Sequence, residues 1–154
     1  MKNLDSFYKE IEESHGKRTA DAARELHTLY DEKIYKWLAS LWDGEIGGFY
    51  YATSSRVTDG FLPDSESTMQ AIGLLRTTGM IGEYSDLPEG MKKKLGNFAK
   101  KLQDPDGYFY HPQWKEMMLE RPERFNSRRG RDLGQCTWLV RTIAGMETTY
   151  PTAS

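Results

Sequence analysis

The chain has 154 residues, of which 38 % are hydrophobic and 29 % charged, with a formal net charge of −2. This balance excludes a disordered chain and predicts one soluble globular domain with its own core. The small negative charge argues against a general nucleic-acid binder, and the single cysteine, Cys136, excludes a disulfide framework within the chain.

Neither end of the chain nor its interior carries a membrane signal. The amino terminus is charged and has no apolar segment of the kind found in signal peptides. No run approaches the roughly 18 consecutive apolar residues that a membrane-spanning helix needs. We therefore expect a cytoplasmic protein with neither a membrane nor a nucleic acid as partner.

Apolar residues three and four positions apart predict helices in the first half of the chain. A short helix is expected within residues 1–18, followed by a long helix over roughly 19–41. A loop rich in Gly, Tyr and Ser is expected to run from Asp43 to Pro63. Asp64 or Ser65 then caps the next helix, which is expected to stop at Gly79.

The second half shows the same periodicity. Pro88 suits the first position of a helix, and the apolar face of that helix ends at Leu102. After an aromatic loop, a short amphipathic piece is expected from Trp114 to Leu119, and a last helix over about 132–147. No segment alternates enough to require a sheet, so the predicted class is all-α.

Two segments recur along the chain. "GGFYY" at 47–51 matches "DGYFY" at 106–110, so that Gly48 pairs with Gly107. "QAIGLLRTTGM" at 70–80 likewise matches "QCTWLVRTIAGM" at 135–146. Each unit would be an αα-hairpin that buries its apolar face against a neighbour. The predicted organisation is an N-terminal helix in 1–18 and, within 19–154, two αα-hairpin repeats over about 19–80 and 88–147.

Two repeats are fewer than the roughly three that such arrays usually need. On the repeat pattern, no further helix covers the last one, so that Leu139, Val140 and Ile143 would form an exposed apolar edge. The expected partners are therefore a second copy of the chain or further repeats of a longer chain.

One motif points to a family. Gln103, Gly107 and Phe109 resemble the Gln-x(n)-Gly-x-Trp motif that closes the helical repeats of terpenoid cyclases, with Phe in place of Trp. With the helix–loop–helix period over about 20–147, the chain resembles the α/α-toroid superfamily, which includes protein prenyltransferase β-subunits and, more loosely, six-hairpin glycosidases. The resemblance implies αα-hairpin repeats that form part of an α/α toroid. In the first copy, Trp42 stands where the Gln would be.

The chemistry of those families is not implied with the architecture. The acidic Asp-x-Asp-Asp motif of the cyclases is absent, and "DPDG" at 104–107 is typical of a turn. The zinc site of the prenyltransferases needs Asp, Cys and His, but Cys136 and His111 lie in separate elements without ligand spacing. We expect neither a metal nor another cofactor.

The aromatic loop at 102–114 contains candidate ligand contacts. Its rings can pack under helix ends, which their recurrence in both repeats favours, or stack on a ring-shaped ligand. Tyr51, Tyr110 and Trp114 are the candidate contacts with a ligand. His111 is a candidate general acid or base, or a polar contact only.

Charged residues gather at the predicted starts of two helices. Asp59, Asp64 and Glu66 are candidate catalytic carboxylates, with helix capping and dipole compensation as the alternative. Arg128, Arg129 and Arg131 are candidate ligands for a carboxylate, sulfate or phosphate. The alternatives for the arginines are a solvated basic loop or salt bridges to the acidic loop.

Three functions fit these residues. The first is a unit of a carbohydrate-active enzyme, hydrolase or lyase, that acts on or binds an acidic or neutral glycan. The second is a prenyl- or terpenoid-type toroid whose arginines hold an isoprenyl diphosphate. The third is a non-catalytic helical-repeat interaction module, which predicts that Asp59→Asn, Asp64→Asn and Glu66→Gln leave function intact.

Overall fold

A computed structural model describes residues 3–151 of the chain. The chain is mostly helical, with 62 % helix and 4 % strand, which confirms the all-α class. Positions 1–2 of the predicted N-terminal unit and 152–154 of the predicted repeats lie outside the described residues. Within the described part, the α-helices are α1 Leu4–His15, α2 Lys17–His27, α3 Glu32–Ser40, α4 Thr53–Val57, α5 Ser65–Thr77, α6 Glu89–Lys101, α7 Lys115–Glu120 and α8 Asn126–Thr137.

Several short elements join these helices. Strands β1, Trp42–Asp43, and β2, Gly48–Phe49, pair antiparallel between α3 and α4. Short 3-10 helices lie at Tyr84–Asp86 and Pro122–Arg124, and a π-helical segment, Trp138–Ile143, continues α8. In the part of the chain that the structure describes, no helix is long and apolar enough to cross a membrane.

The first two helices form a hairpin of their own. The side chain of Asn3 caps α1 by accepting from the backbone N–H of Asp5 at 3.1 Å. Gly16, at φ 85°, ends α1 and lets the chain reverse into α2. The hydroxyl of Tyr8 lies 2.6 Å from Nδ1 of His27, which ties the two helices together.

The single helix expected over 19–41 is wrong. Helix α2 ends at His27, and the carboxylate of Asp31 caps α3 by accepting from two backbone N–H groups, at 2.9 Å from Lys33 and 3.3 Å from Ile34. Such a cap satisfies the donors of a new helix start, so the break has little energetic penalty. Leu29, which extended the apolar periodicity across the break, is exposed.

The two Gly-aromatic loops have matching backbone hydrogen bonds. Backbone N–H groups of Tyr50 and Tyr110 donate to the carbonyls of the residues that cap the preceding helices, Leu41 after α3 at 2.9 Å and Leu102 after α6 at 2.8 Å. Trp42 pairs with Phe49 and Gln103 with Phe109, and the side chain of Gln103 also donates to the carbonyl of Gly107 at 2.9 Å. The Gln and Gly of the motif are thus in contact.

These pairings correct the sequence register by one residue. The glycine with positive φ in the first loop is Gly47, at 89°, and its counterpart is Gly107, at 85°. Gly48, which sequence comparison pairs with Gly107, lies one position later in β2. The "GG" pair leaves the letter match ambiguous, whereas only one glycine can occupy the left-handed turn position.

The last helix is covered, so the predicted apolar edge is wrong. Leu139 and Val140 are fully buried and Ile143 is 5 % exposed. Helix α6 packs against the π-helical segment, and a side chain at Gly96 would overlap the Cβ of Ala144. Helix α6 therefore covers the π-helical segment, and the argument for self-association through that edge no longer holds.

The core lies where α5, α6 and α8 meet, beneath the two loops. Phe49 from the first loop and Phe109 from the second are both buried in it. The backbone N–H of Phe49 donates to the hydroxyl of Thr68 on α5 at 2.9 Å. This bond anchors the first loop on α5 and sets the position of the residues that follow, up to the start of α4.

Candidate functional site

A pocket of about 300 Å³ opens at the amino-terminal ends of α5 and α8. The loop around α4 and the loop that precedes α7 form its other walls, and the backbone N–H of Leu62 donates to the side-chain oxygen of Gln113 at 3.0 Å between them. Its lining residues are Tyr51, Ser55, Phe61, Leu62, Asp64, Glu66, Ser67, Gln70, Gln113, Trp114 and Arg128. The pocket therefore combines five of the residues singled out in the sequence.

Asp64 caps α5. Its carboxylate accepts from the backbone N–H of Ser67 at 2.8 Å and from the hydroxyl of Ser67 at 2.7 Å. These bonds satisfy a free donor of the first helical turn. Because each carboxylate oxygen already accepts one hydrogen bond, Asp64 is held in a fixed orientation at the pocket wall.

Glu66 forms ion pairs with two arginines of α8. Its carboxylate lies 3.6 Å from a guanidinium nitrogen of Arg128 and 3.3 Å from one of Arg131. Nε of Arg128 donates to Asp132 at 3.2 Å. The four side chains form one charged cluster that joins α5 to α8, as expected if the acidic and basic loops lie side by side.

Asp132 is the buried end of this cluster, since its side chain is only 4 % exposed. The hydroxyl of Ser65 lies 3.0 Å from Oδ1 of Asp132 and 3.0 Å from the side-chain oxygen of Gln135. A buried carboxylate needs such partners because an unpaired one is strongly disfavoured. Sequence reasoning did not assign a role to this aspartate, although a charge four residues before Cys136, on the apolar face, was a signal.

Trp114 lies between a cation and an imidazole. Its ring stacks on His111, with centroids 4.1 Å apart and an interplanar angle of 21°. The guanidinium carbon of Arg128 lies 4.1 Å from the centroid of the Trp114 ring, within cation–π distance. Nε1 of Trp114 is buried and has no hydrogen-bond partner among residues 3–151. Arg128 is thus held by a ring and two carboxylates.

His111 is buried at the base of this stack. Its Nε2 lies 2.8 Å from the carbonyl oxygen of Pro63, while Nδ1 accepts from the backbone N–H of Gln113 at 3.2 Å. The carbonyl requires an N–H donor, so the neutral ring carries its proton on Nε2. Burial lowers the pKa of His111 below its usual value, although the Pro63 carbonyl opposes the shift. Both nitrogens are occupied, so the ring supports Trp114.

Three of the expected site residues lie elsewhere. Asp59 is exposed on the loop after α4 and does not line the pocket. Tyr110 is buried; its hydroxyl donates to Asp106 at 2.7 Å, and burial, with that carboxylate, raises its pKa to about 12. The guanidinium carbon of Arg129 lies 4.1 Å from the ring centroid of Tyr108, outside the pocket lining.

Tyr51 and Phe61 form an exposed aromatic rim, 76 % and 50 % exposed respectively. Tyr51 also borders a neighbouring groove of about 530 Å³, on which Trp37 lies as well. The two cavities share Tyr51, Ser67 and Gln70, so they form a continuous surface. Aromatic side chains thus line this surface from Trp114 through Tyr51 to Trp37.

The comparisons with family models, curated proteins and solved structures gave no significant match for this chain. Within residues 3–151, no three His, Cys, Asp or Glu side chains lie close enough together to hold a metal ion. The pocket offers aromatic rings, amides, hydroxyls and a fixed guanidinium to a ligand.

Proposed function

We propose that the pocket binds a glycan, acidic or neutral, and that the chain is a unit of an α/α-toroid protein of the carbohydrate-active kind. One observation carries the proposal. Arg128, fixed by Glu66 and the ring of Trp114, lies in the same pocket as the exposed rings of Tyr51 and Phe61. Rings that present flat faces to a sugar, beside groups that pair with its hydroxyls, are the features that such a ligand needs.

The free donors of Arg128 favour an acidic sugar. A guanidinium has five N–H donors. In Arg128, Nε pairs with Asp132 and one terminal nitrogen pairs with Glu66. Donors of the other terminal nitrogen can bind a ligand carboxylate without breaking either ion pair, in a charge-assisted hydrogen bond. The side-chain amides of Gln70 and Gln113 supply neutral partners on the same wall.

The geometry supports binding better than glycosidic bond cleavage. Cleavage needs two carboxyl groups facing the scissile bond, one as acid and one as base or nucleophile. Asp64 accepts two bonds from Ser67, and Glu66 is paired with two arginines. Asp59 lies outside the pocket. A catalytic role would require Glu66 to exchange its arginine partners for substrate.

The isoprenyl diphosphate alternative has weaker support. It requires arginines beside a large apolar cavity, but the apolar cavity of about 600 Å³ between α3 and α6 is lined by Lys94 and by no arginine. At the smaller polar pocket, Arg128 has the donors of one terminal nitrogen left beside its two ion pairs, which match a single carboxylate better than a diphosphate.

Calorimetric titration with a uronate disaccharide and its neutral counterpart tests the proposal. We expect saturable binding, tighter for the uronate, that Tyr51→Ala abolishes and Tyr51→Phe preserves, because stacking needs the ring and not the hydroxyl. Arg131→Ala should weaken uronate binding by loosening Glu66, whereas Arg18→Ala, an exposed arginine on α2, should have no effect.

Folded protein that binds neither disaccharide would overturn the proposal. Equal effects of Arg131→Ala and Arg18→Ala would remove the role of the charged cluster. If partner capture occurs and survives Asp59→Asn, Asp64→Asn and Glu66→Gln while no sugar binds, the interaction-module alternative is correct instead.

A further inference from the structure

A second cavity, of about 600 Å³, lies between α3 and α6 and shares no lining residue with the glycan pocket. We call it the α3–α6 cleft. We propose that it binds an aliphatic carboxylate of the fatty-acid class, with the chain along the cleft and the carboxylate at Lys94 and Trp42. Its lining residues are Tyr35, Leu38, Ala39, Trp42, Phe49, Leu75, Met80, Gly90, Met91 and Lys94.

Helix α3 forms one wall of the cleft. Tyr35, Leu38 and Ala39 of α3, followed by Trp42, recur at three- and four-residue steps and so form one face. The helical part of that wall, from Tyr35 to Ala39, rises about 6 Å, and Trp42 of β1 continues it. Gly90 on α6 leaves the opposite side open, since a Cβ there would meet no atom within 4 Å.

The walls suit a flexible apolar chain. Met80 and Met91 line the cleft, and unbranched thioether side chains adjust to ligands of different shape. Met80 is 43 % exposed. Exposed apolar surface in a concave site is the usual mark of an apolar occupant.

A single cation lies at one end. Lys94 is the one charged residue among those that line the cleft, and its ammonium donates to the carbonyl of Gly44 at 2.6 Å. Two of its three donors remain for another acceptor. A Cβ on Gly44 would lie 3.7 Å from this ammonium and 3.4 Å from Nε1 of Trp42, so both N–H donors border the same space.

The charge count selects the head group. One ammonium and one indole N–H match the two oxygens of a carboxylate in charge-assisted hydrogen bonds. A diphosphate would bring more negative charge than one lysine can neutralise, and no carboxylate side chain lines the cleft to hold a cationic amphiphile. Its volume falls in the range of small-molecule sites, roughly 300–1,000 Å³.

Titration of the full chain with hexanoate, octanoate, decanoate and dodecanoate, below their micellar concentrations, tests the proposal. We expect affinity to rise about fourfold for each added methylene until the cleft is filled. The methyl NMR signals of Met80 and Met91 should shift, whereas that of Met117, exposed on α7, should not.

A lysine pair separates the head group from the chain. Lys94→Met keeps the length of the side chain but removes its charge, so it should weaken decanoate binding about tenfold or more and leave decanol binding unchanged. Lys93→Met is the matched control, because Lys93 is exposed and adjacent to Lys94 in the chain but does not line the cleft.

Equal effects of the two lysine substitutions, or an affinity independent of chain length, would overturn the proposal. So would a dimer in sedimentation that Ala39→Glu dissociates, since the cleft would then be covered by a second copy. Because the two cavities share no residue, failure here leaves the glycan titrations unaffected, and failure of the glycan titrations leaves this result unaffected.

Discussion

Replacing Gly47 by alanine should strongly lower the urea concentration at which half of the protein is unfolded, because two energetic penalties add at this position. The backbone of Gly47 has φ +89°, and a Cβ there would lie 2.5 Å from the carbonyl oxygen of Lys94 on α6. The left-handed conformation costs an alanine about 1–2 kcal/mol. The overlap with backbone, which cannot rotate away as a side chain can, adds about 1–3 kcal/mol.

Gly79 provides the matched control. Its φ is +75°, but a Cβ there would meet nothing within 4 Å, so Gly79→Ala carries only the conformational penalty of about 1–2 kcal/mol. With a urea m-value of about 2 kcal/mol per M, the midpoint should fall by about 0.5–1 M for Gly79→Ala and about 1–2.5 M for Gly47→Ala. Circular dichroism at 222 nm follows the transition.

The comparison is valid only if both variants keep the wild-type m-value. Equal midpoint losses for Gly47→Ala and Gly79→Ala would refute the reasoning, since they would show that α6 does not press on the first loop. That contact fixes β2 and, through it, the approach of Tyr51 to the pocket.

Three further predictions concern burial and charge. Leu139→Ala should destabilise the chain by about 2–5 kcal/mol because Leu139 is fully buried. Leu119→Ala, at an exposed site, should change the free energy of unfolding in urea by less than about 0.5 kcal/mol. A small effect for Leu139→Ala would mean that the last helix is uncovered. Asp132→Asn should lower the free energy of unfolding by about 1–3 kcal/mol, since it removes the charge that pairs with Arg128. Asp59→Asn, in the exposed loop, should leave the free energy of unfolding almost unchanged. Equal urea midpoints for the two variants would contradict the buried charged cluster. For His111, burial lowers the pKa in the folded state. The unfolded chain therefore binds more protons than the folded chain as the pH falls below about 6.5. The free energy of unfolding should decrease there and be fully regained above that pH. Urea titrations at pH 7.5 and 5.5 should show this loss in wild type and in His15→Gln but a smaller loss in His111→Gln, and an unchanged pH dependence in His111→Gln would refute it.

The sequence alone determined much of the local structure. Apolar spacing predicted the faces of α5, α6 and α8, and the cap at Asp64 was readable because capping depends on residues within one turn. Salt bridges between the arginines and the acidic segment were one of the alternatives that the sequence left open, and the structure shows them at Glu66. These features depend on short-range periodicity and on charges at matching positions.

Only the tertiary structure decided which surfaces are covered. Periodicity shows that Leu139 faces an apolar partner, but it does not show that α6 is that partner. The break before Asp31 was missed because the apolar pattern continues through it, although Leu29 is exposed. The spacing of apolar residues is set within one helix, whereas the burial of a side chain also depends on the second segment that packs against that helix.

The candidate site was divided in the same way. Trp114, His111 and Arg128 were each noticed in the sequence, but their stacking joins a loop to a helix that begins more than ten residues later. The role of Asp132 depends on Ser65, which is distant in the chain and 3.0 Å away in space. Whether a charged side chain serves as an acid, a cap or an ion-pair partner is set by the neighbours that folding brings to it, and those neighbours come from other elements of the chain.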